Sequence, residues 1–130
     1  MAVWPGSITA ITLFVDDLAA TRAFYLEVFS LPIPFEDEDS TVFRFDNTLS
    51  NLLKSSAAVS LIDPASVASP GTGSRLQLTL NVESVDATCG ELTGNGVAVL
   101  NGPIDREWGN STASFRDPGG HIWEIAQPLE

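Results

Sequence analysis

Positive charge is scarce in this chain: six lysines and arginines stand against seventeen aspartates and glutamates, a formal net charge of −11. Nucleic-acid binding rests on a basic patch that neutralises phosphates, and so few cations cannot supply one. Anionic membrane surfaces are disfavoured on the same ground. A single cysteine, Cys89, allows no intramolecular disulfide and argues against a secreted, disulfide-stapled scaffold. No apolar run approaches the ~20 residues that span a bilayer. The first residues, Met1-Ala2-Val3-Trp4-Pro5-Gly6, lack a basic segment followed by an apolar stretch, so no signal peptide is expected and the cytoplasm is the expected compartment. A glycine-rich phosphate loop and a Ser/His/Asp spacing are missing as well.

What is present suits a folded domain. The 130 residues are 44% hydrophobic and 18% charged, which permits a core of useful size without staples. Ser7 to Val15 alternates, with Ile11, Leu13 and Val15 on one side and Ala10, Thr12 and Phe14 on the other, the period of a strand. Asp17 is placed to cap a helix reaching about Phe29, and Pro32 and Pro34 prevent its continuation. Strand-like segments follow at Ile33–Glu36, Thr41–Phe45 and Leu49–Leu53, with a turn at Asp46-Asn47. The acidic run Glu36-Asp37-Glu38-Asp39 reads as a solvated turn rather than a cation site. From Lys54 to Ser74 the texture changes to Ser, Ala, Pro and Gly, which reads as an irregular linker.

Beyond the linker the pattern restarts. Leu76, Leu78, Leu80 and Val82 alternate with Gln77, Thr79 and Asn81, and Ser84 is placed to cap a helix striped by Val85, Cys89 and Leu92. Gly96 is placed to end that helix. Val97–Leu100, Ser111–Phe115 and His121–Ala126 read as three further strands, the last entered through Asp117-Pro118-Gly119-Gly120. A shift of 67 positions lays Ile11-Thr12-Leu13-Phe14-Val15 on Leu78-Thr79-Leu80-Asn81-Val82 and Ala20-Thr21 on Ala87-Thr88. The expected architecture is therefore a single α+β domain over residues 1–130, a duplication of one βαβββ unit. Repeat one covers about 7–53, the linker about 54–74 and repeat two about 75–126. The strands should form a curved mixed sheet with helices on its outer face, leaving a concave inner face.

Alternation then sorts side chains between faces. The aliphatic sets should meet the helices, and Ala10, Thr12, Phe14, Gln77, Thr79 and Asn81 should face the concavity. Glu124 leaves its strand opposite to Trp123 and Ile125, hence also inward. The first helix carries two apolar stripes, Leu18-Tyr25-Phe29 and Ala20-Phe24-Val28, and the second stripe is expected to pack under Val3-Trp4 or in a subunit interface.

Three segments carry a resemblance to a known family. Ile11–Tyr25 (ITLFVDDLAATRAFY), Leu78–Leu92 (LTLNVESVDATCGEL) and Phe115–Ile125 (FRDPGGHIWEI) resemble the vicinal oxygen chelate superfamily, which includes glyoxalase I, bleomycin-resistance proteins, fosfomycin-resistance enzymes and extradiol dioxygenases. The resemblance implies the duplicated βαβββ fold over nearly the whole chain, and a homodimer. It leaves function open, since that scaffold hosts isomerases, transferases, dioxygenases and binding proteins. Enzymatic members hold a divalent metal through ligands on the first, fourth, fifth and eighth strands. Here the resemblance puts Ala10, Asn51, Gln77 and Glu124 at those places, and only Glu124 is a strong ligand. One carboxylate and two amides grip a transition metal poorly, so no catalytic metal is expected, with a divalent ion at Gln77 and Glu124 as the alternative.

Other chemistry is thin. His121, the only histidine, should turn outward with no carboxylate partner in the cleft, and Cys89 reads as a small buried hydrophobe. The candidate ligand-binding residues are then the aromatic Phe14, Phe43, Phe45 and Trp108 with the polar Asn51, Gln77, Asn81 and Glu124. Aromatic walls with a few fixed polar groups suit a small organic molecule, and a carboxylate among rings suits an amine-bearing one. The expected function is small-molecule binding without a catalytic metal. The alternatives are a metal-dependent glyoxalase-like lyase or ring-cleaving dioxygenase, and a protein-interaction module that has lost its site.

Overall fold

The computed structural model describes residues 3–130. Two compact units divide the chain, the first ending at Pro70 and the second covering Gly71–Glu130. In the first, β1 (Ala10–Val15) leads to α1 (Leu18–Val28), then β2 (Phe35–Glu36), β3 (Ser40–Phe45), β4 (Thr48–Lys54) and α2 (Ser55–Ile62). In the second, β5 (Gln77–Asn81) leads to α3 (Val85–Gly94), β6 (Val99–Asp105), β7 (Asn110–Arg116) and β8 (Ile122–Pro128). Hydrogen bonding joins them into two four-stranded sheets of matching order, β1-β4-β3-β2 and β5-β8-β7-β6. In each, the strand before the long helix runs parallel to the last strand of the repeat, and the remaining pairs are antiparallel. The duplication read in the letters is thus a duplication of topology.

The helix ends form where the sequence supplies caps. Asp17 Oδ1 accepts the Ala20 amide at 3.0 Å, and Ser84 Oγ accepts that of Ala87 at 3.1 Å, satisfying donors that the first turn leaves unpaired. Gly96, just past α3, has φ +80°, a conformation that ends a helix readily only without a Cβ. Each helix then covers one sheet face. Leu18, Thr21 and Tyr25 of α1 are buried, as are Val85, Cys89 and Leu92 of α3. Against them lie Leu13, Val15, Phe43 and Leu52 in the first unit and Ala113, Phe115, Trp123 and Ile125 in the second, all buried.

Three expectations need correction. The stretch 54–74 is not an irregular linker throughout: Ser55–Ile62 is helical, with Ala58 fully buried, and a short 3-10 turn occupies Pro70–Thr72. Ser and Ala give this stretch a loop-like texture, yet its Ala, Val, Leu and Ile form a helix once β4 supplies a surface to pack on. β6 does not stop at Leu100 but continues to Asp105, with two register shifts that carry it past Gly102 and Pro103. Finally, Val3 and Trp4 are 94% and 86% exposed, so they do not cover the second stripe of α1.

The acidic run is the β2–β3 turn. Asp37 Oδ1 accepts the amides of Asp39 and Ser40 and the Ser40 hydroxyl within 3.0 Å. The Asp39 amide first, and the Ser40 hydroxyl next, hold the Asp37 carboxyl below the ordinary range. Arg22 pairs with Glu36 at 2.8 Å, which raises the pKa of the arginine and lowers that of the glutamate. Both groups are exposed, so the pair contributes little stability.

Candidate functional site

Helix packing fixes which sheet face is which. In the second unit Gln127 Oε1 accepts the amide of Val85, the first residue of α3, at 2.9 Å. Gln127 alternates with Ala126 and Glu124, so those two side chains leave β8 on the face turned away from α3. The register then builds a row across all four strands on that far face. Thr79 of β5 lies beside Glu124, Glu124 beside Ser114 of β7, and Ser114 beside Asn101 of β6. A second row runs parallel to it through Asn81, Ala126, Thr112 and Ile104. Apart from Ala126 and Ile104, both rows present only polar groups.

A third row on this face, Gln77-Ile122-Arg116, ends in an exposed arginine; two further charges are fixed there by hydrogen bonds. Glu124 Oε1 accepts the Thr79 hydroxyl at 3.0 Å. Arg106, in the turn between β6 and β7, folds back over the sheet: Nε donates to Thr112 Oγ1 at 2.9 Å and Nη2 to Asn101 Oδ1 at 3.3 Å. Its guanidinium carbon stands 5.7 Å from the centroid of the Trp108 ring, within cation–π range. The Trp108 side chain itself is 67% exposed. Arg106 is half-buried, and among the described residues the ion pairs join Arg22 to Glu36, Lys54 to Asp39 and His121 to Asp117. Two neutral oxygens orient the guanidinium, and among the described residues no carboxylate lies within ion-pair distance of it.

In the first unit, Phe14 and Asn51 lie on the face away from α1, alternating with buried Leu13, Val15 and Leu52. Asn51 sits between Thr12 and Val42 in register. Its Nδ2 donates to Thr12 Oγ1 at 3.5 Å, while Oδ1 is buried with no hydrogen-bond partner.

Of the residues expected to share the binding face, Phe43 and Phe45 are misplaced. They do share one face of β3, but it is the α1 face: Phe43 is wholly buried with its ring 5.3 Å from Tyr25, and Phe45 packs edge-on to Phe29 at 5.4 Å. The largest apolar area went to the core, and the stripe Tyr25-Phe29 on α1 required rings opposite it. Gln77, Asn81 and Glu124 are on the far face of the second sheet as expected. Trp108 is at the β6–β7 turn under Arg106. Arg106, Asn101, Thr112 and Ser114 were missed. The signal available for Arg106 was its place two residues before Trp108 in a tight turn.

The other reactive side chains stand apart. His121 Nδ1 lies 3.2 Å from both carboxylate oxygens of Asp117, a buried residue of the turn before β8. A carboxylate partner thus exists, but inside the Asp117-Pro118-Gly119-Gly120 turn, whose geometry it braces. Burial, with Asp86 adding to it, raises the pKa of the Cys89 thiol, so the nucleophilic thiolate is disfavoured.

The donor set can be tested against a divalent metal. Ala10 has no donor atom, Asn51 offers one neutral amide oxygen in the first unit, and Gln77 with Glu124 offer an amide and a carboxylate in the second. Among the described residues no group of three or more His, Cys, Asp or Glu side chains is placed to share an ion. A transition-metal site needs several anionic or imidazole ligands in fixed geometry, and these residues do not fit one.

Comparison with known proteins follows the same line. A family model described as the Glyoxalase/Bleomycin resistance protein/Dioxygenase superfamily matches residues 7–125. An uncharacterised protein of Bacillus subtilis strain 168, YraH, is 32% identical over 123 residues, covering 92% of this chain and 96% of its own. A crystal structure of a glyoxalase/bleomycin resistance protein/dioxygenase from Nocardioides superposes with a TM-score of 0.87 at 20% identity, over 99% of this chain and 87% of that one. TnmS3, an antibiotic binding protein from a Streptomyces species, superposes with a TM-score of 0.73 at 24% identity, over 98% of this chain and 99% of its own. The two structural likenesses concern the fold.

Proposed function

The chain belongs to the Glyoxalase/Bleomycin resistance protein/Dioxygenase superfamily, and from that membership we propose that it binds a small organic molecule on the far face of its second sheet without a catalytic metal. The observation that carries this reading is the row Thr79-Glu124-Ser114-Asn101: one carboxylate held by a hydroxyl, among neutral polar groups, with no second acid or imidazole to complete a metal shell. Glu124 would accept an amine or another donor from the ligand. An antibiotic binding protein of the same fold, TnmS3, supports the reading of the scaffold as a binder of organic molecules. No helix among the described residues is long and apolar enough to cross a membrane, and a cytoplasmic homodimer is part of the same proposal. Sedimentation at micromolar concentration should give the mass of two chains; the mass of one chain would remove the dimer from it.

A thermal-shift screen against amine-bearing and aromatic small molecules tests the binding. A ligand at 100 times its Kd adds about 2.7 kcal/mol to stability. Glu124→Gln should abolish the shifts given by amines while leaving the free protein's unfolding midpoint within about 1 °C, because Glu124 is half-exposed and has one hydrogen bond. A large loss of stability in the free variant would make Glu124 structural. Near-stoichiometric metal in protein purified without chelator would replace the proposal with the lyase or dioxygenase alternative. Neither metal nor any shift across the library would favour the interaction module.

A further inference from the structure

The six cations of this acidic chain differ in how they are held. Arg22 and Lys54 face carboxylates at 2.8 and 4.0 Å. Arg106 is held instead by a hydroxyl and an amide oxygen, with an indole ring beside its plane. Ordering a long guanidinium side chain costs rotamer entropy, and a surface cation ordinarily recovers it from a nearby acid or stays mobile in water. Here seventeen acids are available in the chain, yet the side chain folds back from its turn over Thr112 and Asn101. Two of the five N–H donors of a guanidinium suffice for those partners, leaving three uncommitted in a fixed plane. A guanidinium oriented by neutral groups keeps its full charge for an incoming anion, and its planar fork matches a carboxylate.

Position adds a second constraint. Asn101, which Nη2 of Arg106 reaches, is in the same cross-strand row as Glu124, two strands away with Ser114 between. Strands are spaced about 4.8 Å apart, so the row separates Asn101 from Glu124 by about 10 Å. The far face of the second sheet therefore carries a fixed cation at one end of a polar row and a fixed anion nearer the other, with the exposed Trp108 ring flanking the cation.

We infer that this face reads a small planar zwitterion, taking the ligand's carboxylate on Arg106 and its amine on Glu124. The inference rests on the proposed binding role of this face and specifies its ligand class. It assigns Arg106 as a specificity-determining residue, with Asn101 and Thr112 as positioning residues that aim it. Electrostatic polarity also rejects ligands: a simple amine finds Arg106 repulsive, and a simple acid finds Glu124 so.

Three probes of one shape test it by titration against intrinsic tryptophan fluorescence: 4-(aminomethyl)benzoate, its carboxamide 4-(aminomethyl)benzamide, and 4-methylbenzoate. The zwitterion is expected to bind about tenfold or more tighter than either probe lacking one charge, since a hydrogen bond to a charged group contributes about 1.5–3 kcal/mol. Arg106→Gln should weaken the zwitterion about tenfold and bring it level with the carboxamide, whose own binding it should not weaken. Arg106→Lys, which keeps the charge but not the fork, should recover only part of the loss. Thr112→Val should give an intermediate loss, with unfolding midpoints checked for every variant. Equal binding of the zwitterion and the carboxamide, or zwitterion binding unchanged in Arg106→Gln, would overturn the inference while leaving the Glu124-dependent binding of amines standing. Saturable binding by none of the three probes, with amines elsewhere still giving shifts, would overturn it as well. Failure of every amine would take the proposed binding role down with it.

Discussion

Phe43→Ala is expected to lower unfolding stability by about 3–5 kcal/mol, the range for deleting a buried phenylalanine side chain. Phe43 has no exposed surface, and its ring meets Tyr25 at a centroid distance of 5.3 Å in the aromatic layer between α1 and β3. Tyr25 itself contacts Phe29 at 5.1 Å, and Phe29 contacts Phe45 at 5.4 Å, so removing Phe43 opens a hole at the buried end of a continuous stack. Phe43→Leu, which keeps most of the volume, should cost far less. Domains of this size are stable by about 5–15 kcal/mol, so the alanine variant is expected to lose a large share of its stability. Urea unfolding measures the loss. A cost under about 1 kcal/mol would place the Phe43 ring on the far face after all, where truncation would weaken ligands instead of the fold.

That residue also marks the limit of what alternation tells. In β1 and β5 one face is wholly aliphatic and the other mixed, so parity and burial agree, and the sheets adopt the faces read from the letters. In β3 both sets are mixed: Thr41, Phe43 and Phe45 against Ser40, Val42 and Arg44. Period two correctly pairs Phe43 with Phe45, but it is silent on which side faces the helix. The decision comes from α1, whose Tyr25 and Phe29 supply rings for the rings of β3 to meet. The caps at Asp17 and Ser84 were legible because they act within three residues. α2 was hidden because its residues gain helical stability only by packing, which no local signal states.

The binding face shows the same division. Glu124 was found because it lies in a regular strand, where alternation fixes direction. Arg106 was not, because it sits in a turn and its aim depends on contacts with Thr112 and Asn101, five or six residues away along the chain but adjacent through the register of β6 and β7. Gly102 and Pro103 broke the alternation of β6 before it reached Arg106, and so concealed that a strand leads there. The anion on this surface is a property of strand period, whereas the cation is a property of a bulge.

Gly102→Ala should expose how much that bulge matters, with an expected loss of about 2–6 kcal/mol. Gly102 has φ +94°, a conformation that costs an L-residue about 1–3 kcal/mol. Space is the larger obstacle. A Cβ built there overlaps the carbonyl oxygen of Thr112 and comes within 2.7 Å of the Ala113 Cα, both backbone atoms of β7 that cannot rotate aside. Relief requires β6 to lift from β7, at an overpacking cost of about 1–3 kcal/mol more. Gly96→Ala is the control: its φ of +80° is similar, but a Cβ there meets nothing within 4 Å, so it should lose only the conformational part. The difference between the two variants isolates the steric contribution. Because Asn101 precedes Gly102 and helps aim Arg106, the lifted strand should also loosen the guanidinium, and zwitterion binding should fall in Gly102→Ala but not in Gly96→Ala. Equal stability losses in the two would mean that β6 can shift past β7 freely, and that the bulge does not fix the register on which the placement of Arg106 depends.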